Sequence, residues 1–261
     1  MDGASHQLLA FGAAFLAGAI NSVAGGGTLV SFPALIWLGL PSVVANATST
    51  VAIWPGSLGG LLGFRRDLRE MPPKMLALIV PSLVGGIGGA ILLRMTPTSV
   101  FDRLVPLLIL FATCLFMAQD AVQRMLRIAP VAADSTKPEG GGRGEWLAGA
   151  LAFQLVVGLY GGYFGAGLGI MMLAALGIMG FTDIHQMNGL KNLLALCING
   201  VAALYFVSKG MVYWPDVIVM AIGAIAGGVG GAGLARRLGR LAVRRIVVAV
   251  GLAMAVKLML K

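Results

Sequence analysis

The sequence NSVAGGGT, at residues 21–28, interrupts an apolar run that spans residues 11–40. A second glycine-rich sequence, YGGYFGAGLG at residues 160–169, interrupts another apolar run that spans residues 151–180. In a lipid bilayer, irregular backbone is tolerated only where it is buried in protein or lines a cavity. Interrupted apolar segments at matching positions of two halves indicate the binding site of a transporter. These two sequences therefore predict both the fold and the place of the function.

The composition indicates an integral membrane protein. Hydrophobic residues make up 58% of the 261 residues and charged residues only 11%, with a mean hydropathy of +0.92. A single soluble core cannot bury that much apolar surface. Although 19 Lys and Arg outnumber 10 Asp and Glu, most lie in short connections between apolar runs, as topology signals do. Binding to nucleic acid is therefore excluded, and the lipid bilayer is the expected surroundings.

The sequence predicts neither a disulfide nor a metal site nor a cofactor. Cys114 and Cys197 lie inside apolar runs without a CxxC spacing or a neighbouring histidine cluster. The first residues lack the basic region and cleavage site of a signal peptide, so the first apolar segment is expected to remain in the mature protein. Oligomeric state is open, and a homo-oligomer is compatible with the sequence.

Ten apolar segments predict the helices of an all-α polytopic membrane protein. They lie at residues 7–23, 28–39, 43–63, 75–93, 100–119, 146–160, 168–179, 187–207, 214–235 and 245–260. The pieces beside each glycine interruption are too short to cross a bilayer comfortably at about 1.5 Å per residue. Each pair is therefore either one broken crossing or a hairpin that returns to its own side.

The positive charges favour one topology. Basic residues cluster at 65–74, 124–143 and 236–245, and placing all three clusters in the cytoplasm accounts for most of the 19 Lys and Arg. Three spans then follow each hairpin, so the hairpins enter from opposite faces. This predicts two inverted repeats, each a glycine-broken, re-entrant-like hairpin plus three transmembrane helices, with both termini outside. The alternative is one broken crossing per half, which gives eight spans and a parallel repeat.

The polar centre of the chain separates the two repeats. We assign residues 1–120 to the first repeat, residues 121–144 to a cytoplasmic linker and residues 145–261 to the second repeat. The linker is rich in Pro, Gly and small polar residues, which is typical of flexible connections.

The repeat extends beyond the glycines into a polar cluster in each half. ANATST at residues 45–50 matches MNGLKN at residues 187–192, with Asn46 over Asn188. The order of the first glycine motif, Pro33 and the ANATST cluster, repeated more loosely in the second half, resembles the sulfite exporter TauE/SafE family over essentially the whole chain. The second cluster departs from the family pattern, because Leu190-Lys191 stands where a Thr-Ser pair is expected.

This resemblance implies a function. It implies a multi-pass protein of the cell inner membrane that exports or exchanges small sulfur-containing anions without ATP. Sulfite, sulfoacetate and other organosulfonates are the implied substrates. The sequence leaves two other readings open, an anion channel and a non-transporting membrane partner subunit. An enzyme is not expected, since the chain offers no clear nucleophile, base or metal cluster.

The chemistry of the repeated motifs agrees with an anion. A helix that restarts at Thr28 or Leu168 leaves its first N–H groups unpaired and carries a partial positive charge, which suits an oxyanion. Glycine lets a ligand approach that backbone closely. The predicted substrate-binding residues are Asn21, Ser22, Gly25, Gly26, Gly27, Thr28, Asn46, Thr48, Ser49, Thr50, Gly165, Gly167, Gly169, Asn188, Lys191 and Asn192.

Each candidate also has a structural interpretation. Placing Lys191 within an apolar span costs about 2.5–3.5 kcal/mol of insertion free energy, which suggests a role in binding. Its side chain could instead extend to the membrane interface. The Asn and Thr clusters could form hydrogen bonds between helices. The paired glycines at residues 85–89 and 227–231 indicate close helix packing. Asp183 and His185 could relay protons, although solvated loop charges are commoner.

Overall fold

The computed structural model describes residues 3–23, 26–63, 73–128, 143–178, 184–238 and 240–259. Regular secondary structure in this part of the chain is helical throughout. The helices are α1 (Gly3–Val23), α2 (Thr28–Trp37), α3 (Ser42–Gly63), α4 (Pro73–Leu76), α5 (Ile79–Met95), α6 (Thr98–Ile128), α7 (Arg143–Tyr163), α8 (Leu168–Ile178), α9 (Ile184–Ser208), α10 (Trp214–Leu238) and α11 (Arg240–Met259). Every predicted apolar segment corresponds to helix, which confirms the all-α class.

The surface of the molecule fits a bilayer. By length and composition, three helical stretches in the described residues can cross a membrane, at residues 3–21, 98–119 and 186–208. The other apolar helices are shorter. Large apolar side chains lie on the outside, among them Val229 at 77% exposure and Leu204 at 64%. Contiguous apolar surface of this kind needs an apolar environment, so the protein is a multi-pass membrane protein.

Two helices are only half as long as the bilayer core is thick. α2 has 10 residues and α8 has 11, which at about 1.5 Å per residue cover half of a core of about 30 Å. They begin at Thr28 and Leu168, the two positions at which the sequence predicted that a helix restarts. α2 packs between α1 and α3, and α8 packs between α7 and α9.

The packing of the helices repeats when the two halves are exchanged. α1 packs chiefly on α10, and its counterpart α7 packs chiefly on α5. α3 contacts α10 as α9 contacts α5, and α2 contacts α11 as α8 contacts α6. Two further contacts, of α3 with α9 and of α6 with α11, each join a helix to its own counterpart in the other half. The sequence repeat is thus also a repeat of tertiary contacts, whereas the inverted orientation in the membrane stays a prediction.

Paired glycines form the closest of these interfaces. A Cβ on Gly85 would lie 2.6 Å from the carbonyl oxygen of Leu155 in α7. Its counterpart in the second half, Gly227, lies against the carbonyl of Phe15 in α1. The absence of a side chain lets the two backbones touch. This confirms the packing interpretation at Gly85 and Gly227, whereas a Cβ on Gly230 would have no atom within 4 Å.

The central linker is partly helical. α6 continues to Ile128 and α7 begins at Arg143, so both helices extend into the segment assigned to the linker. Residues 129–142 lie outside the described residues. The proposed boundaries between the repeats stay predictions.

A buried carboxylate joins the first helix to the second half. Nε2 of His6 in α1 lies 3.0 Å and 3.1 Å from the two carboxylate oxygens of Asp216 in α10. Asp216 is only 1% exposed. The sequence analysis did not pair these residues, and Asp216 lies in the first turn of α10. The two residues are 210 positions apart, so only the packing of α1 on α10 brings them together.

Candidate functional site

A cavity of about 250 Å³ lies where the two glycine interruptions meet. It draws on both halves, with α1, α2 and α3 on one side and α8, α9 and α10 on the other. This volume suits a small ion or a compact organic molecule. The lining residues are Gly18, Asn21, Gly26, Thr28, Thr50, Ile53, Trp54, Gly56, Ser57, Phe164, Gly165, Gly167, Leu168, Gly169, Asn188, Lys191, Asn192, Ala195, Asn199 and Gly228.

The amino ends of both half-length helices reach this cavity. Gly26 and Thr28 line it at the start of α2, and Leu168 and Gly169 line it at the start of α8. A helix N-terminus carries about half a positive charge. Most of the first N–H groups at these two ends already donate to carbonyls of the glycine sequence before the helix, so the charge of the helix end is the main contribution. Two such ends that meet at one cavity make its potential positive before any side chain is counted.

Lys191 adds a full positive charge to the same place. It lines the cavity from α9, and its Nζ donates a hydrogen bond of 3.1 Å to Oδ1 of Asn188. The aliphatic part of the Lys191 side chain lies over the start of α8: a Cβ added to Gly169 would be 3.3 Å from Cδ of Lys191. The ammonium group is therefore held near a helix N-terminus. No Asp or Glu is among the described lining residues, so the cavity is electropositive.

Three asparagines supply neutral hydrogen-bonding groups. Asn21, Asn192 and Asn199 line the cavity, and within the described residues none of their amides forms a hydrogen bond with another group. Each amide offers two N–H donors and a carbonyl acceptor. An anion in the cavity can accept bonds from the donors without displacing an existing protein contact.

The remaining wall is apolar and includes an aromatic side chain from the first half. The indole of Trp54 in α3 donates a 3.2 Å hydrogen bond to the carbonyl of Leu196 in α9. It lies against Gly200, where an added Cβ would be 3.0 Å from Nε1. Phe164 forms another part of the wall and packs edge-on against Phe32, with ring centroids 5.3 Å apart. The cavity lining thus combines a cationic group and amides with apolar side chains.

The structure brings together most of the residues that the sequence predicted to form the site. The predicted residues that line the cavity are Asn21, Gly26, Thr28, Thr50, Gly165, Gly167, Gly169, Asn188, Lys191 and Asn192. Lys191 lies in the cavity wall, which favours its functional interpretation over extension to the interface. Whether any of these residues binds a substrate stays a prediction.

Four other predicted residues are engaged in packing away from the cavity. Asn46 donates to the carbonyl of Tyr163 at 2.9 Å. The Thr48 hydroxyl accepts from the backbone N–H of Tyr213 at 3.0 Å. The hydroxyl of Ser49 bonds that of Ser31 at 2.7 Å, and Gly27 lies against the backbone of Ala17. These contacts match the alternative interpretation, in which polar clusters join helices.

The rest of the predicted set cannot be placed. Gly25 and Asp183 lie outside the described residues, as do the side chains of Ser22 and His185. The proton relay through Asp183 and His185 stays a prediction.

Trp54, Ser57 and Asn199 are cavity residues that the predicted set omitted. Helical spacing could have found them, because residues three, four and seven positions apart share a face. Thr50, Trp54 and Ser57 follow that spacing in α3, and Asn192 and Asn199 follow it in α9.

Known proteins match the chain over nearly its full length. The family model described as "Sulfite exporter TauE/SafE" matches residues 10–258. The "Probable membrane transporter protein" of Haemophilus influenzae is 27% identical over 251 residues, which cover 94% of this chain and 91% of that protein. The "Probable membrane transporter protein YfcA" of Escherichia coli strain K12 is 29% identical over 251 residues, which cover 95% of this chain and 88% of that protein. No solved structure matches the chain.

Proposed function

We propose that this chain, which belongs to the sulfite exporter TauE/SafE family, is a secondary transporter that exports small sulfur-containing anions across the inner membrane. Sulfite, sulfoacetate and other organosulfonates are the proposed substrates. The family and the related proteins are membrane transporters by name rather than enzymes.

The position of Lys191 is the observation that carries the proposal. Its side chain lies over the start of α8, in a cavity that the N-terminus of α2 also reaches and whose described lining contains no acidic residue. Keeping a lysine at a membrane helix interior is costly, so we expect the charge to be used. An oxyanion with one or two negative charges would accept hydrogen bonds from the Lys191 ammonium and from the free asparagine amides, and the positive helix ends would attract it.

The apolar wall supports an organic substituent on the anion. Trp54, Phe164 and Ile53 line the same cavity as Lys191 and the asparagines. A sulfonate with a short carbon chain can turn its oxygens toward the ammonium and amide groups and its methylenes toward these apolar side chains. Sulfite fits the same ammonium and amide groups and needs no apolar contact.

The repeated packing supports alternating access as the mechanism. Each half contributes one half-length helix and two long helices to the cavity wall, and the two halves meet along α3 and α9. In secondary transporters with inverted repeats, one repeat moves against the other around a central site. The same motion here would open the cavity first to one face and then to the other.

A binding experiment tests the site. We expect sulfite or sulfoacetate to raise the apparent melting temperature of the purified full-length protein, because a ligand of the folded state stabilises it by mass action. Lys191→Gln should weaken the affinity about 10- to 100-fold, since hydrogen bonds to charged groups contribute about 1.5–3 kcal/mol. Lys209→Gln is the matched control, because Lys209 is exposed and contacts the ring of Tyr205. Equal affinity in the Lys191 variant would remove Lys191 from the site.

A transport experiment separates a carrier from a channel. Protein in liposomes loaded with unlabelled sulfite should take up labelled sulfite by counter-exchange, and the rate should saturate with concentration. Flux that rises linearly without counter-exchange would indicate the anion channel. Absence of both flux and binding would favour the partner subunit.

A further inference from the structure

Two buried oxygen atoms in α3 lack partners. Among the described residues, Ser42 Oγ and Asn46 Oδ1 are the buried side-chain polar atoms without a hydrogen bond. Ser42 is 5% exposed and Asn46 is 1% exposed. The two residues are one helical turn apart and therefore share a face of α3. Buried polar groups in proteins are almost always satisfied, so a pair of unsatisfied oxygens on one face indicates a ligand.

The surroundings of these oxygens favour a cation. The Nδ2 group of Asn46 donates to the carbonyl of Tyr163, the last residue of α7. That bond fixes the amide with Oδ1 as a free acceptor. It also places Asn46 at the C-terminus of a helix, which carries a partial negative charge. In other secondary transporters, unwound backbone carbonyls and half-helix C-terminal ends coordinate coupling cations, and the side-chain carbonyl of Asn is a common oxygen ligand of hard cations.

The second half shows what its equivalent asparagine binds. Asn188 matches Asn46 in the repeat, and its Oδ1 accepts a bond of 3.1 Å from the Lys191 ammonium. The position that corresponds to Lys191 in the first half is Ser49, whose hydroxyl bonds Ser31 at 2.7 Å. One asparagine oxygen therefore meets a cation that belongs to the protein. Asn46 Oδ1 has the same place in the repeat but has no hydrogen-bond partner among the described residues.

We propose that Asn46 Oδ1 and Ser42 Oγ bind a monovalent metal cation, with Na⁺ as the ion. The ligands are neutral oxygens, which suit a single charge, whereas divalent ions usually require carboxylates. The cation takes the place in the first half that the Lys191 ammonium holds in the second. Cation binding does not depend on the proposed function; if both hold, this cation couples to anion export.

Sodium binding to the full-length protein in detergent tests the site. Saturable binding of ²²Na⁺ is expected, together with a higher apparent melting temperature in NaCl than in choline chloride at equal ionic strength. Both effects should be lost in Ser42→Ala and in Asn46→Ala. Ser208→Ala is the matched control, because the Ser208 hydroxyl is exposed and bonds the carbonyl of Tyr205, and it should keep both effects.

Several outcomes would overturn the proposal. Equal melting temperatures in NaCl, KCl and choline chloride would do so, as would ²²Na⁺ binding that persists in Ser42→Ala. If Asn46→Ala does not fold, Ser42→Ala decides the question. Anion binding measured in sodium-free choline buffer reports on the proposed function separately, so the failure of one proposal is distinguishable from the failure of the other.

Discussion

The two glycine interruptions look alike in sequence but differ in their physical basis. In the first, Gly27 has an ordinary φ of −56° and lies against the backbone of Ala17. Its neighbour Gly26 would place a Cβ 2.7 Å from the ring of Phe116. In the second, Gly165 and Gly167 have φ values of +75° and +78°. The first interruption therefore needs glycine for space and the second for backbone conformation.

The polar clusters that follow show a similar difference. In the first half, Asn46 and Ser49 join helices, and in the second half the matching Asn188 and Lys191 line the cavity. The tertiary contacts of the helices are nevertheless equivalent in the two halves. A repeated scaffold thus carries a site in which one half supplies the charge. Duplicated packing does not require duplicated chemistry.

The largest expected effect comes from filling the first interruption. Gly27→Ala would place a methyl group against the backbone of Ala17, which cannot move away without separating α1 from α2. Overpacking costs about 1–3 kcal/mol, and we expect the upper end because the obstacle is backbone. The measurement is the apparent melting temperature and the yield of monodisperse protein in detergent.

Asparagine serves as the control for that variant. Gly27→Asn should be as unstable as Gly27→Ala or worse, because its larger side chain meets the same obstacle. A stable Gly27→Asn protein would contradict the steric explanation of the first interruption.

A smaller effect is expected at the second interruption. Gly167→Ala has ordinary contacts, the nearest being 3.4 Å to Cδ1 of Leu115, but it must keep a φ of +78°. A left-handed conformation costs an L-residue about 1–2 kcal/mol. Gly167→Asn should recover part of that loss, since asparagine tolerates this conformation better than alanine. The same melting measurement checks both variants, and a Gly167→Asn protein no more stable than Gly167→Ala would mean that conformation is not the reason.

The smallest effect should fall on binding alone. A methyl group on Gly169 would lie 3.3 Å from Cδ of Lys191, and this flexible side chain can shift by a few tenths of an ångström. Gly169→Ala should therefore leave the melting temperature nearly unchanged and weaken sulfite affinity about threefold, or about 0.7 kcal/mol.

Titration calorimetry or a ligand-induced melting shift measures that affinity. Gly230→Ala is the matched control, because no atom lies within 4 Å of a Cβ there. If Gly169→Ala and Gly230→Ala bind sulfite equally well, the Lys191 chain is not held over the start of α8 in the binding state.

Much of the fold could be predicted from the sequence, because the signals are local. A bilayer requires apolar stretches of helical length, and such stretches are visible without any tertiary information. The restarts of α2 at Thr28 and of α8 at Leu168 followed from the glycine runs before them. The close packing at Gly85 and Gly227 followed from the pattern of small residues.

The candidate site could be predicted only in part. Asn188, Lys191 and Asn192 lie together on the cavity side of α9, and they were among the predicted residues. Asn46, Thr48 and Ser49 were predicted with equal reason, yet in α3 they contact other helices. Trp54 and Ser57 line the cavity one and two turns further along α3 from Thr50. Polarity alone does not say which face of a helix meets a cavity.

The sequence by itself determined the membrane class, the repeat, the two interruptions and the residue types available for an anion. Hydropathy and glycine act locally on the chain, so their consequences can be foreseen from the order of residues. Only the tertiary structure decided that α1 packs on α10, that His6 meets Asp216, and that Lys191 shares a cavity with both helix N-termini. Those contacts depend on how helices distant in sequence rotate and pack against one another, which no local pattern specifies.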